Sequence, residues 1–243
     1  MLQLLSYFID QRAPMYAGKT GFLPKSISLI SRGDSANTSH LQFPNHLGTH
    51  IDFPRHFFNE GQTVEDFPID FWFFEGEKVE ILEIENNDEQ LLIKPENIKT
   101  KKLKKNAEVV LLKTDFGRYR TQERYWKYNP GLGIELVTWM RENFKKMRVF
   151  GIDTISISSY QHREIGREVH KKMLDPSNPV LIVEDMDLSK ISKDSIFNSL
   201  WISPLMLRDM EVGIKSILMN LKMEDIQSSA GRTSTTEIKQ IIR

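Results

Sequence analysis

The chain has no cysteine. That absence excludes a disulfide framework, a thiolate zinc site, an iron–sulfur cluster and a cysteine nucleophile. Any metal must be held by imidazole and carboxylate, which suits zinc, manganese or iron. There is no surplus of charge either: 33 Lys and Arg balance 33 Asp and Glu. No bulk field draws the chain to nucleic acid or anionic membrane, and no nucleic-acid motif is present. No run approaches the roughly 18 apolar residues of a membrane span. The opening Met1-Leu-Gln-Leu-Leu-Ser-Tyr-Phe-Ile is ended by Asp10 and lacks the basic start and long apolar stretch of a secretory signal, so a cytoplasmic protein is expected. Glycine (13) and proline (10) are too sparse for a low-complexity chain.

What is there is an ordinary globular composition, 40% hydrophobic and 27% charged over 243 residues, enough for one large domain with a substantial core. Residues 1–221 read as that domain. Residues 222–243 read as a polar tail, containing Gln227-Ser-Ser-Ala-Gly-Arg-Thr-Ser-Thr-Thr and a short helix over Glu237–Ile242.

Residues 1–45 look irregular apart from the alternation in Lys25-Ser-Ile-Ser-Leu-Ile-Ser31, which predicts a strand. Val79-Glu-Ile-Leu-Glu-Ile84 predicts another. Pro95 and the five lysines that follow it, up to residue 106, read as a solvated helix face or loop. Strands are then predicted at 109–112, 148–152 and 180–183, and helices over Pro130–Lys146, with Leu132, Leu136 and Trp139 on one face, and His162–Leu174. This alternation predicts an α/β architecture. Three strands end in an acid, Asp115, Asp153 and Glu184, and open α/β sheets gather their sites beyond such ends. Such acids also cap turns. The run Phe71-Trp72-Phe73-Phe74 suits an apolar pocket or an oligomer interface, with core burial the commoner fate.

Four of the six histidines fall in residues 40–56: His40, His46, His50 and His56. A helix would put His46 and His50 on one face, but Gly48, β-branched Thr49 and Ile51, and Pro54 all oppose helix. In an extended chain, positions 46, 48, 50 and 52 share a face while Leu47, Thr49, Ile51 and Phe53 point to the core. His50 and Asp52 then lie about 6.6 Å apart at the backbone, close enough to converge on one ion, whereas His46 is about 13 Å from His50. A bend at Gly48 would bring it in. Three imidazoles and a carboxylate are costly to bury together without a shared partner. Further ligands are sought on the later helix, where His162 and His170 lie on roughly the same face, and at Glu184; periodicity leaves the choice of histidine open.

His46-Leu-Gly-Thr-His50-Ile-Asp52-Phe-Pro-Arg-His56-Phe57 resembles the His-x-Gly-Thr-His-x-Asp-x-Pro-x-His-Phe signature of the cyclase family, the metal-dependent hydrolases that include bacterial kynurenine formamidase and isatin hydrolase. Gly61-Gln-Thr-Val-Glu-Asp-Phe-Pro, Pro130-Gly-Leu, Gly151-Ile-Asp-Thr-Ile-Ser156, Gly166-Arg-Glu-Val-His170-Lys-Lys-Met-Leu and Val180-Leu-Ile-Val-Glu184 resemble later blocks, so the likeness spans roughly residues 8–220. It implies a swivelling β/β/α domain with a mixed central sheet, assembled as a homodimer or homotetramer. It implies His46, His50 and Asp52 as ligands of one metal, with Asp52 bridging to a second, and His170 over His162 as a ligand of that second metal. Glu184 would touch both, and His56 would be the proton donor and acceptor. One or two zinc or manganese ions per subunit are expected, acting on a small-molecule substrate.

There are departures. Tyr16 stands where the formamidases place a substrate-contacting Trp. Asp-Met-Asp-Leu follows Glu184 in place of Asn-Leu-(x)-Asn-Leu, and Lys113-Thr-Asp-Phe-Gly-Arg replaces a more usual Arg-Thr-Gly-Trp. Asp153 and Ser156 are expected either to orient ligands from behind or to satisfy a strand-to-loop turn. The expected reaction is hydrolysis of an amide, formamide or cyclic amide or ester. The alternatives are a metal-dependent lyase or dehydratase, or an inactive metal-binding relative.

Overall fold

The structure, a computed structural model, describes residues 2–18, 21–84, 91–99 and 102–221. The expected tail and its helix lie outside the described residues. The chain opens with β1 (Leu2–Leu4), a hairpin of β2 (Leu23–Ser28) and β3 (Thr38–Gln42), and the three-residue β4 (His50–Asp52). Next come β5 (Phe73–Glu75), β6 (Val79–Glu83) and the short β7 (Leu92–Ile93). β8 (Val109–Lys113) leads through α1 (Arg124–Lys127) to β9 (Gly131–Leu132) and α2 (Ile134–Asn143). β10 (Val149–Ile152), α3 (Arg163–Met173) and β11 (Leu181–Glu184) follow, then β12 (Phe197–Pro204) and β13 (Val212–Leu221).

The sheet runs β5-β12-β13-β4-β11-β10-β8-β6, with β1 on β13. β6, β8, β10 and β11 are parallel, while β4, β13, β12 and β5 join antiparallel. The parallel strands are near-continuous apolar runs because both faces are covered. Alternation splits them: Val109, Leu111, Val149 and Val183 face a core shared with Phe53, Trp72 and Leu200. Val110, Leu112, Phe150 and Ile182 face α2 and α3, meeting Leu136, Met140, Val169 and Met173. Each such side chain, removed from water, contributes about 1.5–3 kcal/mol. This is the expected mixed-sheet β/β/α layering.

Two local expectations shift, and a third holds. The helix predicted from Pro130 starts at Ile134, because Gly133 is extended (φ −74°, ψ 151°) and Leu132 joins β9, pairing with Ile93. Leu132 is therefore buried from a strand, not a helix. The strand expected at 25–31 ends at Ser28, where Leu29 leads into a short turn at Ile30–Arg32, and its residues are almost all exposed in a hairpin off the main sheet. The aromatic run is largely core, the commoner fate of such a run: Trp72 and Phe74 are buried, and Phe73 packs edge-on against Trp201 at 4.7 Å at the surface. Among the described residues no helix is long and apolar enough to cross a membrane.

Candidate metal centre

β4 supplies the first donors. His50 and Asp52 point to the helix face of the sheet while Ile51, between them, is sealed in the opposite core. His46 sits in the turn before β4, brought round by Gly48 in the left-handed region (φ +68°), the bend the spacing requires. Antiparallel pairing sets Glu184 of β11 directly opposite His50. α3 lies over that face and lowers His170 onto the same point, whereas His162 stands at the N-cap position of the helix, makes no side-chain capping bond and belongs to neither donor group. His40 is exposed on β3, away from the cluster.

The donor atoms are evenly spaced. His50 Nε2 is 3.4 Å from Glu184 Oε2 and 3.7 Å from Asp52 Oδ1. His170 Nε2 is 3.4 Å from Glu184 Oε1 and 3.6 Å from Asp52 Oδ2, and His46 Nδ1 is 3.5 Å from Asp52 Oδ1. Two donors each about 2.1 Å from one tetrahedral ion lie about 3.4 Å apart, so these spacings fit a shared cation. Two overlapping groups result, His46–His50–Asp52 and Asp52–His170–Glu184, with Asp52 common to both. His50 Nε2 and Asp52 Oδ1 are buried without a hydrogen-bond partner. Buried polar atoms are seldom left so, and a cation between them satisfies both. The far nitrogens are fixed: His50 Nδ1 meets Gly48 O at 2.8 Å and His170 Nδ1 meets Gly166 O at 2.8 Å, which leaves each Nε2 as the donor to a metal. Gly166 permits this close fit, since a Cβ there would lie 2.1 Å from Ser158 Oγ.

Without a cation the site holds protons instead. Burial pulls His50 and His170 down, but the carboxylates of Glu184 and Asp52 outweigh it and raise them to about 9 and about 10. Burial raises Glu184 and Asp52, yet the histidines hold both low, Glu184 at about 2. The raised histidines stabilise the metal-free fold below their ordinary 6.5, and that stability is lost as pH rises through 9 and 10. The lowered Glu184 stabilises above its ordinary 4.5 and loses this as pH falls through 2. In chelator the thermal midpoint should therefore fall between about pH 5.5 and about pH 8.5. With zinc or manganese it should rise, because ligands must shed protons to bind. Superimposable pH curves with and without metal would argue against coordination here.

His56, on the short turn Pro54–His56 after β4, faces the cluster with its ring 4.5 Å from that of His46 and 6.1 Å from that of His170. Burial, reinforced by the neighbouring histidines, holds it below 6.5, so it is neutral at pH 7. Tyr16, Phe57 and Met15 help wall a cavity of about 370 Å³ over the donors. Phe57 stacks on His170 at 4.9 Å. Ser156 Oγ donates to Glu184 Oε1 at 3.1 Å, and the Ile157 amide donates to the same oxygen at 2.7 Å. Asp153 lies elsewhere: its carboxylate accepts from the Thr114 amide and hydroxyl and lines a separate cavity of about 260 Å³ with Tyr7 and Asp115. Burial raises it to about 6.

The unusual Asp after Glu184 also finds its reason. Asp185 is buried in the left-handed region (φ 52°), which Asp tolerates. Arg120 grips its carboxylate with both Nε and Nη2, and Tyr125 Oη donates to it at 2.6 Å. Its carbonyl accepts from Thr49 Oγ1, tying the strand of Glu184 to the residue beside His50. Sequence reading missed Arg120, Tyr125 and Thr49, as well as Ser158, Arg163 and Arg167 around the cavity. The last two carried a signal, lying at helical spacing from His170.

The sequence model of the family described as "Putative cyclase" matches residues 4–159, more than half of the chain, and the chain belongs to that family. The match includes His46 through His56; His170 and Glu184 lie beyond it and are joined to them by the fold. The curated relatives include a kynurenine formamidase of Geobacillus thermodenitrificans, 32% identical over 68 residues that span 28% of this chain and 32% of that protein. A Haemophilus influenzae protein described only as uncharacterized is 26% identical over 113 residues, 46% of this chain and 78% of its own. Among solved structures, isatin hydrolase A of Labrenzia aggregata superposes with a TM-score of 0.73 at 17% identity, covering 91% of this chain and 94% of its own. A predicted metal-dependent hydrolase of Bacillus stearothermophilus gives 0.67 at 19% identity, covering 90% and 97%. These likenesses establish the fold.

Proposed function

We propose that the protein is a metal-dependent hydrolase that opens an amide, formamide or cyclic amide or ester at its C–N or C–O bond. The observation that carries this reading is the ring of donors spaced 3.4–3.7 Å, with two buried donor atoms left unpartnered, beside a neutral imidazole. Asp52 and Glu184 would anchor a cation, with His46, His50 and His170 as its further ligands, and zinc or manganese suits this donor set. When bound, a divalent ion supplies Lewis acidity and brings the pKa of a water from 15.7 toward about 7. His56, free of a proton at neutral pH, takes one from the attacking water and passes it to the leaving nitrogen or oxygen. Ser156 holds Glu184 in place through the hydroxyl bond above. Phe57 and Tyr16 give the substrate an apolar wall and exclude bulk water.

Elemental analysis of the purified protein, with an amide, formamide, lactam and lactone screen in ¹⁸O-labelled water, tests the proposal. Hydrolysis places label in the product carboxylate. Unlabelled product points to a lyase or dehydratase on the same site. No bound metal and no activity on adding zinc or manganese would overturn the reading.

A further inference from the structure

Three side chains on α3 share one face. Arg163, Arg167 and His170 fall at i, i+4 and i+7, the spacing that stacks residues along a helix, and all three line the cavity over the metal donors. His170 is buried at its floor; the two arginines lie toward the N-terminus of the helix and are exposed at its mouth.

Local stability does not account for them. At the first position of α3, Arg163 opposes the positive end of the helix dipole. Among the described residues Arg167 pairs with Glu164 alone, at 3.9 Å, with both side chains largely in water. Among the described residues no carboxylate lies within ion-pair distance of Arg163. Its guanidinium instead lies over the ring of Tyr160 at 4.0 Å, with Tyr16 at 6.0 Å. Tyr160 is itself packed against Tyr16 at 5.6 Å and Trp126 at 5.5 Å. The contact with Tyr160 holds the guanidinium at the mouth, and although one N–H group reaches toward the Tyr16 hydroxyl, the remaining donors are open to a carboxylate.

We propose that Arg163 and Arg167 form an anion-binding mouth that selects substrates carrying a carboxylate on the far side of an apolar body from the bond to be broken. Seven residues of helix separate Arg163 from His170 by about 10.5 Å along the axis. That distance, with Tyr16 and Phe57 as walls, suits a body of about one aromatic ring. The inference rests on the hydrolase reading and names the class of substrate for that site.

Two measurements on the zinc- or manganese-loaded protein test it. Calorimetry should show benzoate binding about tenfold more tightly than benzamide, a modest advantage in keeping with the exposure of both arginines. That ratio should fall toward one in the double variant R163Q/R167Q, and in wild-type protein at high salt, which screens an exposed pair. Equal binding of the two probes, or a preference that survives the double substitution, would overturn the proposal, the second by assigning the carboxylate to the metal. In parallel, 4-formamidobenzoate and its methyl ester are assayed for hydrolysis. The carboxylate compound should have the higher kcat/KM, with the advantage lost in the double variant. Equal kcat/KM for both compounds would overturn the mouth alone. Selective benzoate binding with neither compound hydrolysed, and no turnover in the amide, lactam and lactone screen, would overturn the hydrolase reading and leave the anion site standing.

Discussion

Asp52→Asn should strip the protein of metal and of activity together while leaving the fold intact. Asp52 is the one side chain common to both donor groups, buried with His46, His50 and His170 all within 3.5–3.7 Å of its oxygens. Asparagine keeps the volume, and Ile51 and Phe53 still anchor β4 in the core beneath. What is lost is one negative charge and one anionic oxygen. A neutral amide would hold a cation poorly, and it no longer offsets the positive charge of any ion that this ring of donors would take up. Metal affinity should fall by at least about 100-fold, the upper end of what losing an outer partner of a ligand costs. A bound metal contributes several kcal/mol to such a reaction, and each 1.4 kcal/mol or so is tenfold, so turnover should drop on the order of 10³-fold. Elemental analysis beside a turnover assay reads both. A variant with full metal content and full rate would remove Asp52 from the centre.

How this centre could be read in advance varies residue by residue. Alternation alone put His50 and Asp52 on one face and Ile51 on the other, because side-chain direction in a strand is a local property. The bend at Gly48 followed from distance: His46 was too far away in a straight chain. Glu184 and His170 are different, since they meet His50 only through the β4–β11 register and the docking of α3, and no local pattern encodes either. There the family likeness chose His170 over His162, and the helix-capping position of His162 agrees. At α2 the apolar spacing extends the helical pattern back to Leu132, but the extended Gly133 sets the boundary. β2 illustrates the opposite error: its alternation was real, but both faces of the hairpin are exposed, so the pattern encoded no burial. Asp153 and Glu184 both follow from acids at strand ends. Only the positions of Thr114 and Ser156 separate a carboxylate that braces a neighbouring strand end from one held at the centre.

His56→Ala should keep its metal and lose most of its rate. The imidazole belongs to neither donor group, although its ring lies 4.5 Å from that of His46. Among the described residues nothing hydrogen-bonds to it, so it is free to accept a proton and give it back. General acid–base help of this kind is worth about 10²- to 10⁴-fold, and the loss should fall on kcat with metal content unchanged. The pH profile adds a second reading. Burial holds His56 below 6.5, so the wild-type rate should decline on the acid side as this base becomes protonated. The variant should lose that acid limb, whereas a residue that merely shaped the cavity would leave the limb in place. Added imidazole should restore part of the rate, since the cavity opens above the vacated position. A variant that lost metal along with activity would instead make His56 a ligand and leave the proton transfer to another group.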